Sequence, residues 1–338
     1  MPLVRRAKCR NQSEAAMRIL SLLPSATEIV YALGLGDDLV GVSHECDYPE
    51  EAKTKPIVSA STPPPAMRSD EIHSVFSGHS HPSHSLYRID EQLLKQINPD
   101  VILTQELCTV CAIPVAQVRE AARILAGPRR VVSLEPNNLH QILENISAVA
   151  EVTGRHAEAA ALIAQLESRI ARIRSATSSV RERPRVFCME WMDPVMAGGH
   201  WIPEMIRIAG GTEGLGSDGE PSTAIEWERV VEFAPQIMVI MPCGYKISRS
   251  LEEVDQLTSR PGLYDLPAVK SGQVYIVDSP AFFSRPGPRI VDGLEILAQI
   301  IHPEVFSGMF STGSSLKLTW DKTQPIRSQT FSDRFLPL

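Results

Sequence analysis

The sequence predicts an α/β fold of two similar lobes joined by a long helix, with a ligand cleft between the lobes. Three observations lead to this prediction. Short apolar runs alternate with helical patterns in both halves of the chain, a continuous helical pattern separates the halves, and one stretch is repeated. Such alternation is typical of doubly wound sheets with parallel strands. The length of 338 residues also exceeds what one average hydrophobic core requires.

The first half reads as an α/β lobe over residues 18–136, preceded by an N-terminal extension over residues 1–17. The first strand is predicted within RILSLLP and the first helix within SATEIVYALGL. Later strands are predicted within LVGVS, DVILTQ and RRVVSLEP. These apolar runs are short and alternate with helical patterns, which favours parallel strands with helices between them.

A helical linker is predicted over residues 137–180, because apolar residues recur there at helical spacing. Gly154 is expected to separate a first helix from a longer one that starts at His156. About 22 helical residues would span roughly 33 Å, which is long enough to bridge two lobes.

The second lobe is predicted over residues 181–303, with strands within RVFCMEW, QIMVIMP and GQVYIVD. Its last helix, RIVDGLEILAQII, ends before Pro303. Residues 304–338 are polar and lack sustained periodicity, so they predict a loosely ordered tail.

The repeated stretch predicts where a ligand would bind. Residues 89–108 align without gaps on residues 225–244, and both read as a short helix, a proline and an apolar strand. In sheets of this kind, ligands bind beyond the carboxyl ends of the strands. The cleft is therefore expected to bring together Gln105, Glu106, Cys108 and Cys111 of the first lobe with Met241, Pro242, Cys243 and Tyr245 of the second.

Composition excludes several classes of protein. The net charge is −7 without any block of like charges, which disfavours nucleic acid as a partner. No run of 18 apolar residues predicts a membrane span. No export signal is recognised, so the sequence as it stands predicts a cytoplasmic protein, or a periplasmic or cell-surface one if the true N-terminus is longer. No nucleophile–base pair, P-loop or dinucleotide motif supports catalysis.

Several motifs together resemble the class III substrate-binding proteins, the iron-siderophore and cobalamin receptors of ABC importers. They are RILSLLPSATEIVYALGLGDDLVGVSHECDYP, IRIAGGTEGLG and LYDLPAVKSGQVYIVD, within a resemblance that runs from about residue 18 to residue 303. The resemblance implies two Rossmann-like lobes, a backbone helix and a non-catalytic, monomeric binding protein. SATE and DYP most resemble the cobalamin-binding branch, so the implied ligand is a corrinoid and the implied partner is an ABC permease.

The same resemblance implies one surface glutamate in each lobe that docks on permease arginines. The ungapped alignment places these positions at Gln92 and Glu228. Glu228 fits the pattern, whereas Gln92 departs from it and Glu91 lies beside it. Glu91 and Glu228 are therefore the docking candidates.

In the first lobe, the candidate ligand contacts are Ser25, Asp47 and Tyr48. Ser25 follows Pro24 where a strand turns into a helix, so free backbone N–H groups there suit an oxygen-rich ligand edge. A helix N-cap is the alternative role for Ser25. The resemblance implies that Asp47 and Tyr48 face the corrin ring or its amides, and a tyrosine can stack on a flat ring. The alternative is a tyrosine folded against its own lobe.

In the second lobe, Trp191, His200 and Trp201 flank the glycine pair of MEWMDPVMAGGHWIPEM and would present flat surfaces to a macrocycle. Burial of both tryptophans in the core is the alternative. After the last predicted strand, SPAFFSRPGPR places Phe282, Phe283 and Arg285 at the cleft rim. Arg285 suits phosphate or carboxamide groups, or else pairs with an acidic residue across the lobe boundary.

Cys108 and Cys111 leave several interpretations open. They suit a redox pair, half of a zinc site completed by histidines such as His81 in GHSHPSH, or thiols that line the cleft. A thiolate or imidazole would also suit a cobalt or iron centre carried by the ligand. The competing functions are ferric siderophore or haem binding on the same fold, and a cytosolic metal- or thiol-dependent protein that uses these cysteines and the His79–His84 loop.

Overall fold

A computed structural model of the protein describes residues 17–61, 67–77, 87–105, 115–123, 125, 127–306, 315–319 and 330–337. Within these ranges, short 3-10 helices occur at Gly36–Asp38, Glu50–Thr54, Val254–Ser259, Leu263–Asp265 and Ser332–Arg334.

The first lobe is an α/β unit built on a parallel sheet. In chain order its elements are β1 (Ile19–Ser21), α1 (Pro24–Ala32), β2 (Leu39–Val42), β3 (Ser59–Ser61), α2 (Ser69–Ser77), β4 (Tyr87–Ile89), α3 (Glu91–Ile97), β5 (Val101–Thr104), α4 (Val115–Ala122) and β6 (Arg130–Ser133). The main sheet has the order β2-β1-β5-β6 and all of its strands run parallel. β3 and β4 pair antiparallel as a separate two-stranded sheet. The predicted parallel sheet is confirmed.

Two helices follow the first lobe, α5 (Leu139–Thr153) and α6 (His156–Thr177). Asn138 caps α5 through the backbone N–H of Gln141, and Gly154 ends it in the left-handed conformation with a φ of 71°. A glycine is favoured there because it adopts this conformation without steric cost. The structure confirms both helices and their separation at Gly154.

The second lobe contains a mixed sheet with a parallel centre. Its elements are β7 (Val186–Met192), β8 (Val195–Ala197), α7 (Ile202–Ile208), β9 (Thr223–Ala224), α8 (Trp227–Phe233), β10 (Ile237–Ile240), α9 (Ile247–Glu253), α10 (Pro267–Lys270), β11 (Val274–Val277), α11 (Ser279–Phe282), α12 (Ile290–Ile301), α13 (Pro303–Phe306), β12 (Ser315–Leu318) and β13 (Phe335–Pro337). The sheet order is β13-β12-β11-β10-β7-β8-β9, with β7, β10 and β11 parallel and the outer strands antiparallel.

The prediction of a loosely ordered tail is wrong for its described parts. β12 pairs with β11, and β13 pairs with β12. Phe331 is 1% exposed and stacks edge-on against Phe335, which places both rings in the core of the second lobe. These strands extend an existing sheet edge, so three or four residues with one apolar face suffice, and so short a pattern carries little signal in the sequence.

The internal repeat is confirmed in three dimensions. α3 and β5 of the first lobe have the same lengths and spacing as α8 and β10 of the second. Both helices end in a left-handed residue, Asn98 in one lobe and Ala234 in the other, one position before Pro99 and Pro235. The ends of β5 and β10 therefore occupy equivalent positions at the carboxyl edges of their sheets.

Candidate ligand-binding cleft

The two lobes meet beyond the carboxyl ends of their parallel strands. Glu28 lies in α1, which follows β1, and Asp47 follows β2. Arg285 and Arg289 of the second lobe follow β11 and α11, and hydrogen bonds join these residues to Asp47 and Glu28. The candidate cleft thus lies where ligands bind in sheets of this type.

The first contact across the cleft is an ion pair between Asp47 and Arg285. Arg285 Nη1 donates to Asp47 Oδ1, and Nη2 donates to the backbone oxygen of Glu45 at 3.0 Å. Lys246 Nζ lies 3.5 Å from the other oxygen of Asp47. Burial alone would raise the pKa of Asp47, but the charges and hydrogen bonds of Arg285 and Lys246 outweigh burial and lower it. Of the two predicted roles for Arg285, the structure shows pairing with an acid across the lobe boundary.

The second contact is a bidentate ion pair between Glu28 and Arg289, which sequence reasoning did not select. Arg289 Nη2 and Nε donate to the two carboxylate oxygens at 2.6 and 3.0 Å, and the Glu28 side chain is only 3% exposed. Burial raises the pKa of Glu28 despite the opposing effect of Arg289. Glu28 and Arg289 lie within the sequence motifs SATE and SRPGPR, but these motifs do not indicate which acidic residue pairs with which arginine.

Tyr48 lies beside the Glu28–Arg289 pair. The guanidinium carbon of Arg289 lies 3.7 Å from the centre of the Tyr48 ring, a close cation–π contact. Tyr48 remains 46% exposed, unusually high for a large aromatic side chain. The predicted alternative of a tyrosine folded against its own lobe is therefore wrong, because its ring stacks on the opposite lobe.

Ser25 is not the N-cap of α1. Leu23 occupies that position and Pro24 is the first helical residue. Ser25 is 2% exposed, and its backbone would lie 3.3 Å from a Cβ atom at Gly287 of the other lobe. The backbones of the two lobes therefore approach closely at this point.

Trp191 and Tyr245 lie on the second-lobe side of the cleft, with ring centres 5.3 Å apart. The indole N–H of Trp191 donates to the backbone oxygen of Ser69 in the first lobe at 3.2 Å. Tyr245 is only 7% exposed, and its hydroxyl donates to Glu253 at 3.3 Å. Burial, followed by the charge of Glu253, raises the pKa of Tyr245 to about 12. The prediction that Tyr245 contacts a ligand is not supported, since its side chain is buried and its ring packs against Trp191.

The predictions that Trp201 and Phe283 contact a ligand are not supported either, because both side chains are buried. Trp201 is 5% exposed and Phe283 is 2% exposed, and both belong to the hydrophobic core. The indole N–H of Trp201 donates to the backbone oxygen of Phe283 at 2.8 Å, so its polar atom is satisfied internally. The turn before Trp201 is tight, since a Cβ atom on Gly199 would lie 2.4 Å from the oxygen of Glu220. The glycines that suggested a ligand surface instead permit close packing of backbones.

The remaining predicted residues of the second lobe are half-buried. His200 has a φ of 50°, and its Nε2 atom is buried without a hydrogen-bond partner among the described residues. Burial lowers the pKa of His200, which favours the neutral imidazole. The backbone N–H of Cys243 donates to the oxygen of Glu190, and the ring of Phe282 lies 5.8 Å from the Arg289 guanidinium carbon. These three residues remain candidate ligand contacts.

Several predictions lie outside the described residues. They concern Glu106, Cys108, Cys111, His81 and the rest of the His79–His84 loop. Within the described ranges, no group of three or more histidine, cysteine or acidic side chains is placed to hold a metal ion. The described helices include none long and apolar enough to cross a membrane.

The two docking candidates lie one position apart in the internal repeat, in which Gln92 rather than Glu91 matches Glu228. Glu91 lies in the first turn of α3 and Glu228 in the first turn of α8, and both are exposed. Because each helix runs antiparallel to the strand that follows it, both helix starts lie toward the cleft edge of their lobe. Each glutamate therefore lies near the cleft edge of its own lobe.

Comparison with known proteins agrees with this architecture. The family described as Periplasmic binding protein matches residues 19–281. An uncharacterized ABC transporter substrate-binding lipoprotein, YvrC of Bacillus subtilis, is 26% identical over 295 residues, covering 86% of this chain and 81% of its own. The vitamin B12-binding protein of Vibrio cholerae is 26% identical over 283 residues, covering 83% of this chain and 87% of its own.

A solved structure shows the same fold. The periplasmic heme-binding protein RhuT from Roseiflexus sp. RS-1, in its apo form, superposes with a TM-score of 0.64 and 24% identity. The superposition covers 86% of this chain and all of that one. The chain therefore belongs to the periplasmic binding protein family, in the class whose members bind ferric siderophores, cobalamin or haem. These are non-catalytic proteins that bind a solute for ABC import.

Proposed function

We propose that this protein binds a corrinoid, most specifically cobalamin, in the cleft between its lobes. The named relative from Vibrio cholerae supports this ligand, as do the SATE and DYP motifs that resemble the cobalamin-binding branch. In the structure these motifs supply Glu28, Asp47 and Tyr48, which lie together at the cleft.

The observation that carries this choice is the charge balance of the cleft. Arg285 contacts Asp47, Arg289 contacts Glu28, and Arg249 contacts Glu253. Lys246, a further cation near the cleft, also faces Asp47. An anionic ferric complex would have to draw these cations away from buried or half-buried carboxylates, at a high cost in desolvation. A corrin, whose edge bears neutral amide groups, makes no such demand.

The shape of the cleft edge also suits a large flat ligand. The rings of Tyr48 and Phe282 both lie near the Arg289 guanidinium, and Trp191 belongs to the second-lobe side of the cleft. Aromatic side chains of this kind offer broad apolar faces with a polar atom at the edge. A neutral macrocycle with a polar fringe fits that combination.

We propose further that the loaded protein delivers its ligand to an ABC permease through Glu91 and Glu228. Their places in the first turns of α3 and α8 support this role, because a permease that contacts both lobes would meet one carboxylate from each lobe. Relatives are named as periplasmic proteins or lipoproteins, which favours an extracytoplasmic working site.

The test is a visible-light titration of the purified, metal-free protein with hydroxocobalamin. We expect saturation at one equivalent, with Tyr48→Ala weakening binding by about tenfold through loss of a stacked ring. Val231→Ala is the matched control, since Val231 is exposed on α8, near the amino end of β10 and away from the cleft. If both variants bind hydroxocobalamin with equal affinity, Tyr48 does not contact the ligand.

The same titration addresses the cysteine motif. A shifted corrin spectrum that Cys108→Ser and Cys111→Ser abolish would assign a thiolate to the cobalt atom. If these substitutions leave the spectrum unchanged, the cysteines do not bind the cobalt atom and at most line the cleft. If hydroxocobalamin does not bind while haemin or a ferric siderophore does, the corrinoid proposal fails and the fold serves one of those ligands.

A further inference from the structure

Residues 67–77 of the first lobe cross the cleft and rest on the second lobe. We call this segment the strap. It lies in the sequence between β3 and β4, which pair with each other. Met67 and Ser69, near its start, contact Trp191, Arg249 and Glu253 of the second lobe. The strap therefore joins the two lobes through residues other than those of the Arg285 and Arg289 contacts.

Glu253 is the centre of this contact. Its side chain is 2% exposed, and one carboxylate oxygen accepts the backbone N–H of Ser69, the first residue of α2, at 3.1 Å. Arg249, Gln256 and the Tyr245 hydroxyl also donate to this carboxylate. A carboxylate at a helix N-terminus gains both a charge-assisted hydrogen bond and a favourable interaction with the helix dipole.

Three further hydrogen bonds and one apolar contact hold the strap. The indole N–H of Trp191 donates to the Ser69 oxygen at 3.2 Å, and Arg249 Nη2 donates to the Met67 oxygen at 2.7 Å. Gln256 Nε2 donates to the Ser69 hydroxyl at 3.3 Å. Ile72 packs against the hydrophobic core of the second lobe. The strap thus makes both polar and apolar contacts with a lobe to which it is not otherwise attached.

The polar groups on the second lobe keep partners when the strap leaves. Glu253 retains three donors of its own lobe, and Arg249 retains Glu252 and Glu253. No charge is left uncompensated, so release of the strap avoids the large penalty of an unpaired buried ion. A contact with these properties opens and closes far more readily than the buried Glu28–Arg289 pair.

We propose that the strap is a closing device, which docks on Glu253 and Trp191 and slows the escape of a ligand held in the cleft. Its landing site supports this, since Trp191 lies near the end of β7 and Tyr245 follows β10, both at the carboxyl edge of the sheet. The statement that the strap slows ligand escape rests on the corrinoid function proposed above. The statement that the strap docks on Glu253 and Trp191 does not.

The test compares the full-length protein with Glu253→Gln, which keeps the shape of the side chain and removes its charge. Hydrogen exchange of the amides at 69–72 measures docking without any ligand, and the release of cyanocobalamin into excess hydroxocobalamin measures escape. We expect both rates to rise about tenfold, the effect of weakening one charge-assisted hydrogen bond. Glu232→Gln, an exposed glutamate on α8, is the matched control and should change neither.

Trp191→Phe is a second variant, which keeps an aromatic ring but removes the indole N–H that donates to Ser69. It replaces Glu253→Gln in the test if that variant does not fold. Unchanged exchange at 69–72 in both variants would overturn the docking role. Faster exchange with unchanged cyanocobalamin release would overturn the closing role. If the wild-type protein binds no cyanocobalamin, the corrinoid function fails, and the exchange data alone decide whether the strap docks as proposed.

Discussion

Replacement of Arg289 by methionine should destabilise the protein strongly, because it leaves the Glu28 carboxylate buried without its partner. The two side chains are 16% and 3% exposed and share two hydrogen bonds. Removal of one member of a buried ion pair typically costs about 3–5 kcal/mol, and the lost stacking on Tyr48 adds about 0.5–1 kcal/mol. We expect a total loss of about 3.5–6 kcal/mol in the free energy of unfolding at pH 7.5.

The loss should depend on pH in a defined direction. Burial already raises the pKa of Glu28 above its ordinary value of 4.5, and Arg289 opposes that rise. Without Arg289 the folded pKa rises further. A carboxyl whose folded pKa lies above its unfolded value costs stability as the pH rises from the unfolded pKa to the folded one, and costs nothing below both. The destabilisation of Arg289→Met should therefore shrink as the pH falls from 7.5 toward 5.

Urea unfolding at pH 7.5 and pH 5 measures both effects. Arg123→Met is the matched control, since it breaks an exposed pair with Glu120 and should cost less than about 0.5 kcal/mol. The double variant Glu28→Gln, Arg289→Met removes both charges and should recover about half of the loss. A loss below about 1 kcal/mol for Arg289→Met, or one that is the same at both pH values, would refute this reasoning.

Three further predictions follow from burial and contacts. Trp201→Phe should cost about 1–3 kcal/mol in urea unfolding, because it leaves the Phe283 oxygen unpaired, and should leave cobalamin affinity within about twofold by calorimetry. A tenfold weaker affinity for cobalamin would indicate that Trp201 does contact the ligand. Phe331→Ala should cost about 3 kcal/mol, and a negligible loss would contradict its place in the core. Asp47→Asn should weaken the Arg285 contact and cost about 1–2 kcal/mol, more at pH 7 than at pH 3, because the folded pKa of Asp47 is lowered and its stabilisation disappears with protonation. Equal losses at the two pH values would contradict that assignment.

The fold was predictable because its signals are local. The alternation of strands and helices, the break at Gly154 and the repeated stretch each lie within a short window of the chain, and the structure confirms them. The described strands of the tail were not predicted, because short strands at the edge of a sheet are stabilised by pairing with the strands already there and need little sequence pattern of their own.

The cleft was predictable in position but not in detail. The motifs placed Asp47, Tyr48 and Arg285 at the lobe boundary, where the structure brings them together. The pairing of Glu28 with Arg289 joins positions far apart in the chain and depends on how the two lobes face each other. The burial of Trp201 likewise depends on close contact between backbones, which no local pattern encodes.

The most direct test of the account is a calorimetric titration of the purified protein with cyanocobalamin, run in parallel with haemin and a ferric siderophore complex. The charge balance of the cleft predicts one-to-one binding of cyanocobalamin and much weaker binding of the two iron ligands. Tight binding of the anionic ferric complex, with no heat from cyanocobalamin, would contradict both the corrinoid assignment and the argument that the cleft arginines are already paired.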